Sequence, residues 1–184
     1  MTEGKTAVEP WQVLDEQILL QVPRMRVTRE TVQLQDGRVV EDYFQIHMGG
    51  AAVIAAQDTE GRFLLLSMYK HGPRRAGLGF PGGGLERGET PLAAARRELM
   101  EETGYEAKDW RELGGYTVHS NQGCGFVTFF TARDAQATGV AVEEDLERHE
   151  FVLLAREEVL RALREGAFLS MGHACMAAFV LSLT

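Results

Sequence analysis

The alternation of apolar and polar positions divides the chain into a strand-rich first half, one well-marked helix, further strands and two closing helices. Arg24 to Gln35 alternates loosely, Asp36-Gly37 is a hairpin signal, and Arg38 to His47 continues beyond the turn. Ala51 to Gln57 and Phe63 to Tyr69 are apolar runs of strand length, joined by the turn-forming Asp58-Thr59-Glu60-Gly61. Lys70 to Gly84, rich in Gly, Pro and Arg, reads as a loop. The next segment is punctuated as a helix at both ends. Thr90 suits the N-cap, Pro91 the first helical position and Gly104 the position just past the end. Leu113 to His119 and Phe126 to Ala132 return to strand character, and Phe151 to Leu154 is a short strand. Ala155 to Glu165 and Met171 to Leu183 read as two closing helices. This order predicts a layered α/β or α+β domain.

Composition narrows the class. The chain has 184 residues, enough for one well-buried domain, and its 45 % hydrophobic and 25 % charged fractions exclude disordered and fibrous classes. The longest apolar candidate, Ala174 to Leu183, falls short of the ~18 residues a membrane span needs. The opening MTEGKTAVEP lacks the basic-then-apolar order of a signal peptide. Cys124 and Cys175 form no disulfide framework and no metal-binding spacing, so a reducing, cytoplasmic setting is expected. The net charge of -8 argues against nucleic acid as a partner. It leaves room for a phosphorylated small molecule, because a divalent cation inverts the local sign.

The helix before Gly104 carries the chemistry. At ~100° per residue, Glu98, Glu101 and Glu102 share one face spanning about 100°. Alone, the arrangement is unfavourable. Glu98 and Glu102 are a like-charge i,i+4 pair costing ~0.2–0.5 kcal/mol. All three face the negative end of the helix dipole, at roughly 0.3–1 kcal/mol each. Arg97 offsets part of this through Glu101, and the remainder points to a bound cation. Oxygen-only ligands select a hard ion, Mg²⁺ first and Mn²⁺ next.

Gly83, five residues, Glu89, seven residues and then Arg97-Glu98-Leu99-Met100-Glu101-Glu102-Thr103-Gly104-Tyr105 match the Nudix signature at every fixed position. Seven identities at background frequencies of roughly 5–7 % have a chance probability on the order of 10⁻⁹. The chain thus resembles the Nudix hydrolase superfamily. That resemblance implies a Nudix-type α/β/α sandwich with a mixed sheet (residues 49–184), preceded by an N-terminal antiparallel strand region (residues 1–48), in one compact unit. It also implies hydrolysis of a nucleoside diphosphate linked to another group. Glu98 and Glu102 would then be Mg²⁺ ligands, Glu101 a direct or water-mediated one, and the Gly82 carbonyl a further ligand. Arg97 would hold Glu89 and Glu101 in place, and the glycines Gly82 to Gly84 would admit close backbone approach.

Beyond the signature, the leading strands, Leu64-Leu65-Leu66-Ser67-Met68-Tyr69-Lys70 and the closing helices resemble the ADP-ribose pyrophosphatase branch. This implies a homodimer built by the N-terminal strands, and ADP-ribose or a related nucleotide sugar as substrate. Other diphosphates (a dinucleoside polyphosphate, coenzyme A, an oxidised nucleotide) and a non-catalytic nucleotide sensor are the alternatives. Two positions depart from the branch. Gly79 stands where a glutamate is usual, and His119-Ser120-Asn121-Gln122-Gly123 where a Ser-Pro-Gly-like turn is usual. The branch also places its catalytic base on a later loop, where Glu147 is the first candidate, ahead of Glu144 and Asp145. Lys70, Arg74 and Arg75, just before the signature, are candidates to neutralise substrate phosphates. His119 is expected to be structural or exposed, Trp11, Trp110 and Tyr116 to be packing residues, and Cys124 to be a small buried residue beside tight backbone.

Overall fold

A computed structural model describes residues 9–141 and 149–183, which divide into two compact units. The first comprises the chain up to Gly49 together with His119–Gly125, the second Gly50–Val118 together with Phe126–Thr184.

In the first unit, β1 (Gln12–Val22), β2 (Met25–Gln33) and β3 (Val39–Met48) form an antiparallel sheet in that order. The expected turn forms at Asp36-Gly37, where Gly37 adopts φ +83° and donates to Leu34 O at 3.0 Å. The sequence pattern missed β1. Register shifts between Val13 and Asp15, and between Ile18 and Leu20, break its alternation, and all eleven of its residues are exposed. The turn at 119–125 joins this sheet through Tyr43 Oη donating to Asn121 O (2.5 Å) and Ile46 N donating to Gln122 O (2.8 Å). Seven residues from the second half of the chain, His119–Gly125, thus belong to the first unit.

The second unit is built on β4 (Gly50–Asp58). Its small and branched side chains alternate, so Ala52, Ile54 and Ala56 face one layer while Val53 and Ala55 face the other. Beside it lie β5 (Phe63–Lys70), β6 (Arg75–Gly79) and β7 (Gly82–Gly84), then α1 (Pro91–Thr103), β8 (Tyr105–His119), β9 (Cys124–Ala137), β10 (His149–Leu154), α2 (Arg156–Arg164) and α3 (Met171–Ser182). The strand order is β10-β5-β4-β9-β8, with β6 paired to β5 and β7 to β4. The β4–β9 pairing is parallel and β4–β7 antiparallel, so the sheet is mixed. One face buries Ala94, Ala95 and Leu99 of α1. The other buries Val159 and Ala162 of α2 with Met176, Ala177 and Val180 of α3. The expected α/β/α sandwich with a mixed sheet is present. Among the described residues, no helix is long and apolar enough to cross a membrane.

Part of the expected loop from Lys70 to Gly84 is strand. β6 pairs with β5 from Lys70↔Arg75 to Leu66↔Gly79, and β7 pairs with β4 from Ala51↔Gly84 to Val53↔Gly82. Glycines carry no alternation to read, and their role here is close approach: a Cβ at Gly82 would collide with the Ala52 carbonyl oxygen. Helix α1 ends as its sequence dictates. Thr90 Oγ1 accepts from Ala93 N at 3.2 Å, and Gly104 adopts φ +71° and donates to Met100 O at 2.8 Å.

Candidate active site

Strand β4 is the common base of the site. Triglycine β7 pairs along one edge of it while α1 packs on its face through Ala94, Ala95 and Leu99, so the glycines meet the polar flank of the helix. The approach is tight. A Cβ at Gly83 would lie 2.5 Å from Glu98 Cδ and 2.7 Å from its Oε2. Gly82 N donates to Glu102 Oε2 at 2.7 Å, which ties the glycine strand to the last turn of α1.

Arg97 organises the carboxylates. Its Nε donates to Glu89 Oε1 (3.1 Å) and its Nη2 to Glu89 Oε2 (3.0 Å), a two-point grip with both groups largely buried. Nη2 also donates to Gly84 O at 3.0 Å. Nη1 donates to Glu98 Oε1 (2.8 Å) and Glu101 Oε2 (2.9 Å). The hydrogen bonds to Glu89, and then those to Glu98 and Glu101, outweigh burial and raise the Arg97 pKa above its already high ordinary value. The same Arg97 bond, with the Glu86 N–H at 2.9 Å, holds Glu89 below the usual carboxylate range. Three carboxylates thus share one guanidinium, and Glu102, held by the Gly82 N–H, adds a fourth, so the group offers oxygen ligands alone. That donor set fits a hard divalent cation.

The NUDIX domain profile matches residues 47–169. The chain belongs to the NUDIX domain family. An ADP-ribose pyrophosphatase of Bacillus subtilis (strain 168) is 31 % identical over 123 residues, which span 67 % of this chain and 65 % of that protein. A CMP-5'-(N-acetyl-N-hydroxy-3-aminopropyl)phosphonate hydrolase of Streptomyces rubellomurinus is 30 % identical over 159 residues, 86 % of this chain and 76 % of that one. A crystal structure of an ADP compounds hydrolase shares the fold, with a TM-score of 0.79 over 96 % of this chain and 95 % of that one at 19 % identity. The Nudix resemblance read from Gly83 to Tyr105, and its placement close to the ADP-ribose pyrophosphatase branch, therefore hold.

The remaining sequence candidates are more scattered. Glu144, Asp145 and Glu147 lie outside the described residues. Lys70 and Arg75 pair across the β5–β6 ladder, and Arg74 sits between them in the turn with φ +52°. Arg75 has a structural engagement that the sequence did not suggest. Its Nη2 donates to Phe168 O (2.5 Å) and lies 3.4 Å from Gly166 O, bracing the connection between α2 and α3. Tyr116 packs against Phe129 and Phe179, Trp110 against Phe130, and Trp11 edge-on to Tyr43. His119 is exposed. Cys124 is half-buried, not buried as expected, with its sulfur 3.5 Å from Met48 Sδ, and the glycines flanking it have positive φ.

Two histidines escaped the sequence reading. His149 Nε2 is 2.8 Å from Glu102 O, so it meets one of the carbonyls that the end of α1 leaves unpaired. His173 Nδ1 accepts from Phe80 N at 3.2 Å and so steadies the Phe80-Pro81-Gly82 segment that leads into the glycine strand. A Cβ at Gly79 would lie 3.3 Å from His173 Nε2 and 3.1 Å from Met68 Cε, so the position where the branch carries glutamate is filled here by histidine and methionine. Neither histidine has a local sequence signal, because each meets its partner across the fold, 47 and 93 residues away.

Burial, and then the nearby Lys70 charge, pull the His173 pKa down to about 4 from 6.5. The unfolded chain therefore takes up this proton first as the pH falls. Stability should be unaffected by His173 above pH 6.5 and decline between about 6.5 and 4, by an amount on the order of 3 kcal/mol. Denaturant unfolding of wild type and His173→Gln at pH 7 and pH 4.5 checks this, since the variant should lose that part of the pH dependence. Gly83→Ala should displace the Glu98 carboxylate, the flexible end of the clash. Diphosphate hydrolysis should then fall at least about tenfold while the melting temperature changes little.

Proposed function

We propose that this chain hydrolyses the diphosphate bond of a nucleoside diphosphate linked to another group, with ADP-ribose or a related nucleotide sugar as the leading substrate. The observation that carries the reading is the Arg97-centred cluster of Glu89, Glu98 and Glu101, with Glu102 tied to Gly82. Glu98, Glu101, Glu102 and the carbonyl of Gly82 would hold Mg²⁺, or Mn²⁺ in its place. The bound ion supplies charge stabilisation on the phosphate oxygens and a lowered pKa for a ligated water. Arg97 keeps the glutamates in position, and the missing side chain at Gly83 leaves room for the Glu98 carboxylate. Lys70 and Arg74 would neutralise the phosphates, with Arg75 committed in part to the Phe168 carbonyl. Glu147 would accept the proton of the attacking water. The names of the relatives support a nucleotide-linked diphosphate, and their variety keeps other diphosphates as the second reading.

A screen of diphosphates with Mg²⁺, read by phosphate release after phosphatase coupling, should show turnover of ADP-ribose well above that of dinucleoside polyphosphates. In the same assay Glu102→Gln should lower kcat at least about 100-fold with the fold retained, and Glu147→Gln should lower it comparably. No turnover of any diphosphate by the wild type, with nucleotide binding intact, would replace the enzyme by a sensor.

The exposed apolar residues of the first unit, among them Trp11, Val13, Leu14, Ile18, Leu19 and Leu20, support a homodimer that covers them. Light scattering should give twice the chain mass of 20.4 kDa, and Ile18→Glu with Leu20→Glu should shift it to the monomer.

A further inference from the structure

The first unit carries a second cluster of metal-ligating groups, away from the Nudix signature in sequence. Glu16, Glu30 and His47 each offer a ligand atom, and the three atoms lie within 4.8 Å of one another. One residue comes from each strand of the sheet: Glu16 from β1, Glu30 from β2 and His47 from β3. The β1–β2 register sets Glu16 directly opposite Glu30, a like-charge pairing that destabilises a sheet by itself. Glu30 is only 9 % exposed, and among the described residues its carboxylate has no hydrogen-bond or ion-pair partner. Arg26 supplies little relief: its Nη1 is 3.6 Å from Glu16 Oε1, and both side chains are exposed. The His47 ring is steadied by Thr28, with Oγ1 and Nε2 3.3 Å apart and Thr28 fully buried. This is the kind of outer contact that orients a ligating imidazole.

The sheet also lacks the core that would otherwise hold it together. Among the described residues, Val32 is the one buried apolar side chain in the first unit, and β1 is exposed along its whole length. Units with so little buried surface generally depend on a staple, an oligomer contact or a metal.

We propose that Glu16, Glu30 and His47 form a structural site for a divalent transition cation, Zn²⁺ first, which cross-links all three strands of the N-terminal sheet. One imidazole nitrogen with two carboxylates suits this borderline ion better than Mg²⁺, which favours oxygen alone. Water completes the coordination. Because the ligands come together only in the folded sheet, binding stabilises the fold directly.

The test uses the untagged full chain, stripped with chelator and carrying Glu98→Gln, Glu101→Gln and Glu102→Gln to remove the Nudix carboxylates. Calorimetric titration with Zn²⁺ should show one equivalent bound, and the melting temperature should rise with it. Adding Glu16→Gln, on the exposed strand, or His47→Gln should weaken the Zn²⁺ affinity at least tenfold and abolish the thermal shift. Co²⁺ in place of Zn²⁺ should give visible absorption bands that His47→Gln removes. If the triple background does not fold, the same titration on the otherwise wild-type chain should lose one equivalent with Glu16→Gln. Failure to bind Zn²⁺ in the background, or unchanged affinity in both cluster variants, would leave His47 as a partner of the carboxylates without a metal and overturn the proposal. Loss of hydrolysis would not, since the readouts are metal stoichiometry and melting.

Discussion

Arg97 is the point on which the site depends. Its five N–H donors reach Glu89, Glu98, Glu101 and the Gly84 carbonyl, so one side chain links the loop before α1, two turns of the helix and the glycine strand. A planar guanidinium holds Glu89 in a two-point grip while still serving two other carboxylates, which a lysine does not reproduce. Three glutamates meet one arginine near the C-terminal end of a helix, with Glu102 beside them on Gly82 N, and a divalent cation bound there would favour this arrangement.

The glycines are the steric counterpart of this arrangement. Gly82 fits against the Ala52 carbonyl and Gly83 against the Glu98 carboxylate, and neither position tolerates a side chain without displacement. Both docking partners, β7 and α1, rest on β4, whose interior residues are small or branched and almost wholly buried. The rigid base therefore sets the distance between glycine backbone and glutamate.

The N-terminal sheet is stabilised on different terms. Among its described residues Val32 is the one buried apolar side chain, and β1 is exposed along its whole length. A second copy of the chain over its leucines, or a cation among Glu16, Glu30 and His47 as proposed, would stabilise such a unit on binding. The two contributions act on different residues and are separable by experiment.

What the sequence determined by itself was local: the caps of α1, the glutamates on one of its faces, the hairpin at Asp36-Gly37 and the apolar runs of β4 and β5. Each depends on neighbours a few residues away, so spacing is enough to read it. The Nudix signature added Glu89 and Arg97 as partners before their 3.0 Å contact was seen. Strand β1 was not legible because its bulges interrupt the period of two, and β7 because three glycines carry no pattern. The commitment of Arg75 to Phe168 and the placement of His149 and His173 were decided by the tertiary structure alone. So was the meeting of Glu16, Glu30 and His47, three residues that only strand register brings together. Short-range chemistry is written in the order of residues, whereas a contact across the fold exists only once the sheet has fixed which strands are neighbours.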